Sequence, residues 1–235
     1  MRWLAGGLSI VLLLAGCAQT VEGAARAATT ATKLLPSEDE ITSAAQSPLS
    51  TFGFQPFSGG VEILPDGYRT DADASPISCA AVTDTAPRIV YEPLPVLEAA
   101  RQSYFNWDEG VDTSGADVAV VRLATSEAAI ATFDTFAAQW QQCSGTTVVK
   151  HVGESVIDAD LSDVAIRDSV VSATVRTTQR PNAPASRYER ALGVRGDALV
   201  EVSLAITSTG EGQADPQAAA VRIVESILAK TGGSA

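Results

Sequence analysis

Apolar and polar positions divide the chain into segments of different period. The first apolar stretch, Trp3 to Ala15, follows Arg2 and closes on Leu14-Ala15-Gly16-Cys17. It is shorter than the ~20 helical residues needed to cross a hydrocarbon core. Its basic-then-apolar order with small residues at the end predicts a secretory signal peptide over residues 1–16. Residues 17–33 lack periodicity and bulky side chains, and read as a flexible tether. The body is expected over residues 34–232. Ser37-Glu38-Asp39-Glu40 has the form of a capping box, which predicts a short helix to about Ala45, ended by Ser47-Pro48. Residues 50–78, rich in Gly, Pro and Phe, predict a long ordered loop. Ile89–Tyr91 and Ala99–Trp107 fit a strand or a short helix equally.

Asp117–Leu123 predicts a buried strand. After it Ile130, Phe133, Phe136/Ala137 and Trp140 recur at helical spacing behind Ser126 as N-cap, and Gly145 stands where a left-handed cap is usual. From Thr146 to Thr207 the period changes to two. Strands are expected at Thr146–His151, Ser155–Ala165, Ser169–Thr178, Tyr188–Arg195 and Ala198–Thr207, with hairpins at Arg167-Asp168 and Gly196-Asp197. A last helix begins with Asp215 as N-cap and Pro216 in its first turn. It places Val221, Val224, Ile227 and Leu228 on one side and ends at Gly232-Gly233. The implied fold is a single α+β domain, an antiparallel sheet of about five or six strands with helices packed on it.

The cysteines alter this picture by fixing a compartment. Leu14-Ala15-Gly16-Cys17 resembles the bacterial lipobox, in which the cysteine is acylated and becomes the mature N-terminus. A diacyl cysteine holds a protein to a membrane without a spanning helix, because two chains anchor stably where one does not. Of three cysteines, Cys79 and Cys143 then remain as an even pair, free to form a disulfide in an oxidising compartment. The formal charge of −12 becomes 15 − 28 = −13 once Arg2 leaves with the signal, and it disfavours nucleic acid and anionic headgroups as partners.

Candidate chemistry is sparse. The one histidine, His151, ends a predicted strand, and no G-x-S-x-G motif accompanies it, so no hydrolase triad is expected. With the cysteines committed elsewhere, no zinc site is expected either. Asp71/Asp73 and Asp108/Glu109 are the nearest paired carboxylates, and both are read as solvated loop charge. Asp71-x-Asp73 lacks the glycine turn and distal glutamate of a calcium loop. Arg195-Gly196-Asp197 is read as a hairpin turn rather than an adhesion motif. Tyr104-Phe105-Asn106-Trp107-Asp108 is read as partly core, with a binding surface as the other reading.

The stretch Val118–Val149, with its helix ending Gln139-Trp140-Gln141-Gln142-Cys143-Ser144-Gly145, resembles the PknH-like extracellular sensor domain family. That domain occurs on an actinobacterial receptor kinase and on many exported lipoproteins. The resemblance extends more loosely over residues 34–231, through Leu34-Leu35-Pro36-Ser37 and Glu189-Arg190-Ala191-Leu192. It implies an antiparallel sheet with helices, a ligand cleft, and a disulfide that Cys79 and Cys143 match. It also implies a second disulfide that this chain lacks, since Tyr188 stands at one position and Leu204 or Ala205 near the other. The expected protein is an exported lipoprotein, anchored through Cys17 on the outer face of the cell membrane. It would be non-catalytic and cofactor-free, binding a small envelope ligand or an envelope protein. A lipid carrier with an apolar cavity is the alternative.

Overall fold

The computed structural model describes residues 30–181, 183–207 and 216–231. The signal peptide 1–16, Cys17 with its lipobox, residues 17–29 of the tether, the Asp215 cap and Gly232-Gly233 lie outside them. The body begins earlier than expected. Residues 30–33, assigned to the tether, belong to helix α1 (Thr30–Leu34), because Ala31, fully buried, docks against the sheet. α2 (Glu38–Ala45) opens on the expected capping box, in which the Glu40 amide donates to Ser37 Oγ and the Ser37 amide donates to Glu40 Oε2.

Among the described residues nine strands form one antiparallel sheet, not five or six. They are β1 (Phe57–Gly59), β2 (Ala74–Ser75), β3 (Val96–Phe105), β4 (Thr113–Leu123), β5 (Thr147–Val152), β6 (Ser155–Arg167), β7 (Val170–Gln179), β8 (Ser186–Arg195) and β9 (Ala198–Ile206). Their order is β1-β3-β4-β9-β8-β7-β6-β5-β2. The undercount has a physical cause. β1 and β2 are too short to display a period of two, and β3 is buried on both faces at Ala99 and Ala100, which erases the alternation. Residues 50–78 are therefore loop only in part. They carry both sheet edges and lead into α3 (Ile77–Thr83), and α4 (Arg88–Tyr91) follows.

Helices cover both faces. α1, α2 and α6 (Pro216–Thr231) lie on one side, packed on Val118, Val120, Ala191, Val200, Val202 and Leu204. α6 approaches β8 closely because residue 193 is glycine; a Cβ there would stand 2.5 Å from Val224 Cγ1. On the other side lie α3, α4 and α5 (Ser126–Gln142), over Val121, Leu192, Leu199 and Val171. The α5 N-cap is Thr125, one residue earlier than expected, its hydroxyl accepting from the Ala128 amide at 3.1 Å. Ile130 is half exposed; the buried stripe runs through Ala129, Thr132, Phe133, Phe136, Ala137 and Trp140. Cys143 caps the helix and pairs with Cys79 across 64 residues, Cα–Cα 5.6 Å. Tyr188 lies directly opposite Ala205, not Leu204, in the β8–β9 ladder. Both strands are internal to the sheet and paired on both sides, so ladder hydrogen bonds hold them where no bridge exists.

Candidate functional site

On the α5 face the strands change character along their length. Under the helix they present Val121, Leu199, Leu192 and Val171; beyond its end they present Arg101, Asp117, Ser203, Tyr188, Thr177 and Lys150. α5 does not cover this second stretch. The segment from Pro65 to Thr85 arches over it instead, leaving a cleft of about 360 Å³ with the sheet as floor and Pro65, Tyr68, Thr83, Asp84 and Thr85 as roof.

Three clamps hold the roof segment in place. The Cys79–Cys143 disulfide ties α3 to the end of α5, and Gln139 Nε2 donates to the Ser78 carbonyl beside it. Next, Arg190 and Glu201, on adjacent strands β8 and β9, form a buried ion pair at 2.7 Å. Each also grips the segment above. Arg190 donates to Thr85 Oγ1 at 2.7 Å, while Glu201 accepts from the Ala86 amide at 3.0 Å and from the Tyr91 hydroxyl at 2.6 Å. Burial, with Glu201 adding, pushes the Tyr91 hydroxyl well above its ordinary range. Ala86 sits at φ +46°, a conformation a side-chain-bearing residue keeps only where its surroundings impose it. The Arg190 guanidinium also lies 5.5 Å from the centre of the Trp140 ring. The third clamp is Lys150 on β5, 2.5 Å from Asp84. Burial lowers the Lys150 ammonium, Asp84 opposes that shift, and Arg190 adds to it.

Between the clamps, the cleft wall is left with unused polar groups. The hydroxyls of Tyr68, Tyr188, Thr177 and Ser203 have no hydrogen-bond partner among the described residues, and Arg101 has no carboxylate partner among them. Burial, with Asp84 adding, pushes the Tyr68 phenol up to about 12, so it stays a neutral donor. The charged groups lining the cleft are Arg101, Lys150, Asp84 and Asp117, two of each sign. Such a wall can hydrogen-bond a neutral polar ligand and offer it ring faces. On the roof the Thr83 hydroxyl donates to Asp84 Oδ2 at 2.6 Å, the oxygen that also pairs with Lys150.

The sequence candidates scatter. His151 is exposed on β5, its amide bonded to the Asp73 carbonyl. Asp73 accepts from the Arg69 and Thr70 amides and the Thr70 hydroxyl, bonds that hold its carboxyl below the usual range. Asp71 accepts from the Ile77 amide at 2.8 Å. These two shape a turn. Asp108 and Glu109 are exposed at the end of β3. Arg195-Gly196-Asp197 is the β8–β9 turn, with Gly196 at φ +59° and Asp197 paired with Arg122. The aromatic run splits: Tyr104 is core, its hydroxyl on the Pro36 carbonyl, whereas Trp107 is 66% exposed. No group of three potential metal ligands occurs among the described residues, and no helix among them is long and apolar enough to cross a membrane. Lys150, Asp84 and Glu201 went unremarked in the sequence, and Arg190 entered only as part of Glu189-Arg190-Ala191-Leu192. The available signal was Glu201 itself, a carboxylate inside the apolar run Leu199-Val200-Glu201-Val202.

Comparison with known proteins agrees with this architecture. The model of a family described as the PknH-like extracellular domain matches residues 26–230. The solved extracellular domain of PknH from Mycobacterium tuberculosis is similar with a TM-score of 0.70 at 19% identity, over 88% of this chain and 96% of that one, which shows a shared fold. An uncharacterised Mycobacterium smegmatis protein is 10% identical, with a TM-score of 0.40 over 80% of this chain and 95% of that one, too distant to carry an argument. No curated protein matches significantly.

Proposed function

We propose a function for this chain from one premise: it belongs to the PknH-like extracellular domain family. In our reading it is an exported, non-catalytic sensor-like module, anchored to the outer face of the cell membrane by acylated Cys17. Its cleft binds a small, uncharged, hydroxyl-bearing envelope ligand. The observation that carries the reading is the row of unpartnered hydroxyls beside the Tyr68 and Tyr188 rings, in a cleft of about 360 Å³. That volume is within the range of small-molecule sites. A sugar-sized ligand supplies both donors and acceptors to hydroxyls and apolar C–H faces to rings. The mixed polar wall supports this reading over a lipid carrier, whose cavity would be apolar.

Thermal-shift measurements with neutral saccharides of the cell wall test it. At a ligand concentration a hundredfold above Kd the stabilisation is ~2.7 kcal/mol, a rise of roughly 5–10 °C for a domain of this size. Tyr188→Phe, which removes one hydroxyl from the wall, should leave the free protein's Tm unchanged and reduce that rise. The absence of any rise across the panel would remove the ligand reading. Stoichiometric co-purifying lipid would replace it with the carrier. The anchor is tested separately by the mass of the mature N-terminus and its loss in Cys17→Ala.

A further inference from the structure

Four aromatic side chains project into solvent at the β1–β3 edge: Phe52, Phe54, Phe57 and Trp107, between 50% and 66% exposed. Phe52, Phe54 and Trp107 join through Phe105 into one patch, while Phe57 lies against Arg101 farther along the edge. Phe52 stacks on Trp107 with ring centres 4.0 Å apart, and Phe105 touches both Trp107 and Phe54 at 5.8 and 6.2 Å. Contiguous exposed rings are unusual on a soluble protein and mark interaction sites.

The rings are held outward by construction. One carboxylate oxygen of Glu38 accepts from the Thr51 amide, the Thr51 hydroxyl and the Ser50 hydroxyl, at 2.7, 2.6 and 3.0 Å. The Phe54 amide closes the turn on the Thr51 carbonyl at 2.9 Å. Within this turn Phe52 adopts φ +49°, a left-handed conformation that strains a residue with a Cβ. A turn serving only as a connection would favour a glycine or asparagine there. This one spends the strain on presenting phenylalanine.

Position suggests the occupant. A shallow depression has Thr51, Phe54 and Gln55 on one wall and Thr32 and Lys33 of α1 on another, so the patch adjoins the point where the chain enters the body. Between Cys17 and Thr30 lie 29 − 17 = 12 residues, which reach at most about 45 Å when fully extended. A domain tied that closely to a bilayer meets it first with the side bearing the patch.

We propose that this aromatic edge rests in the membrane interface and orients the anchored domain on the bilayer. The inference builds on the lipid-anchor reading. Tryptophan and phenylalanine partition to the headgroup–acyl boundary. Asp108 and Glu109 beside Trp107, with a formal net charge of 15 − 28 = −13 for the chain from Cys17, select an uncharged lipid surface over an anionic one.

The test uses the mature chain from Cys17, made without acylation and coupled through the Cys17 thiol to maleimide-lipid in phosphatidylcholine vesicles. Chemical coupling makes the result independent of whether Cys17 is acylated in the cell. Trp140 is buried, so a change in tryptophan emission reports on Trp107. The expected result is a blue shift and quenching by brominated phosphatidylcholine, both diminished when phosphatidylglycerol replaces part of the lipid. Uncoupled Phe52→Ser and Phe54→Ser chains should partition onto vesicles about tenfold more weakly per ring. The wild-type quenching needs no variant, so misfolding of either variant leaves the proposal testable. Emission unchanged by coupling would overturn it, as would patch-dependent dimerisation that shields Trp107 away from lipid.

Discussion

On β9, Val200, Val202 and Leu204 turn toward α1, α2 and α6, while Leu199, Glu201 and Ser203 turn toward α5 and the roof segment. The same strand thus finishes two different structures. Its first face is filled mainly by aliphatic side chains and closed by a 16-residue helix, and its buried carboxylate, Glu189 on β8, is met within the sheet by Thr174 and Arg187. Its second face is apolar only under α5 and then becomes an ion pair and a cleft floor. The first arrangement draws most of its stability from burial, about 25 cal/mol per Å² of apolar surface. The second leaves part of that burial unrealised and substitutes three discrete clamps. A face built for packing tolerates imperfect packing; a face built on clamps depends on each one.

The largest expected effect follows from that dependence. Glu201→Ala leaves Arg190 charged and buried, and strands the Tyr91 hydroxyl and the Ala86 amide. Breaking a buried pair on one side typically costs ~3–5 kcal/mol, whereas replacing both partners with apolar residues costs far less. Glu201→Ala should therefore lower Tm by roughly 6–20 °C, and the double variant Arg190→Met/Glu201→Leu should recover most of it. Urea melts of both would show whether the pair clamps the roof; equal loss in single and double variants would contradict this. Next comes the disulfide. Cys79→Ser/Cys143→Ser opens a loop of 64 residues, worth about 4 kcal/mol in the chain-entropy model and less where the native geometry strains. Under reducing conditions the wild type should lose a comparable amount.

Legibility in the sequence follows the same division of faces. The packed face was readable because burial imposes a period: Val221, Val224, Ile227 and Leu228 on α6 are a direct image of one-sided packing. The capping box at Ser37 and the positive φ at Gly145 and Gly196 were readable because local chemistry decides them. The cleft was not. Its floor gathers residues from seven strands, and its roof is a segment with no period of its own, so long-range pairing alone brings Lys150 to Asp84 or Tyr68 over Tyr188. Trp107 and Tyr104 lie three residues apart in one run, yet one is exposed and the other core, a split that depends on where β3 leaves the sheet.

A third, smaller effect sharpens the comparison from the packed side. Gly193→Ala inserts a Cβ 2.5 Å from Val224 Cγ1 and 2.9 Å from Leu228 Cδ1. The helix must move away, at ~1–3 kcal/mol of overpacking. The loss should appear in stability while saccharide-dependent stabilisation in the cleft stays intact. If ligand response fell with it, the two faces would be coupled through β8 rather than independent.

The smallest effect is a difference in acid response between the faces. Asp66, Asp73 and Glu92 all lie in or beside the roof and are held below the ordinary 3.8 of an aspartate and 4.5 of a glutamate. For Asp66 and Glu92 the first cause is a hydrogen bond from Arg69, which joins them; for Asp73 it is the Arg69 amide. A carboxylate whose folded value is depressed contributes stability that is fully present above its unfolded value and is lost as pH falls through the folded one. Asp66 and Glu92 are solvent-exposed and Asp73 is half-buried, and solvent screens their contribution to a small one. The packed face has Glu40 with Lys230 at its rim and Glu189 with Thr174 and Arg187 inside it, and its interior is otherwise mainly aliphatic. Below about pH 4, amide exchange corrected for its intrinsic rate should therefore rise in residues 65–92 before it rises in α6 or β9. Arg69→Met removes the common partner of Asp66 and Glu92, so it should loosen the same residues already at neutral pH and flatten their response to acid. Simultaneous loosening of both faces in acid would mean that the roof carries no local ionic stability, leaving the disulfide and the buried pair as its only effective clamps.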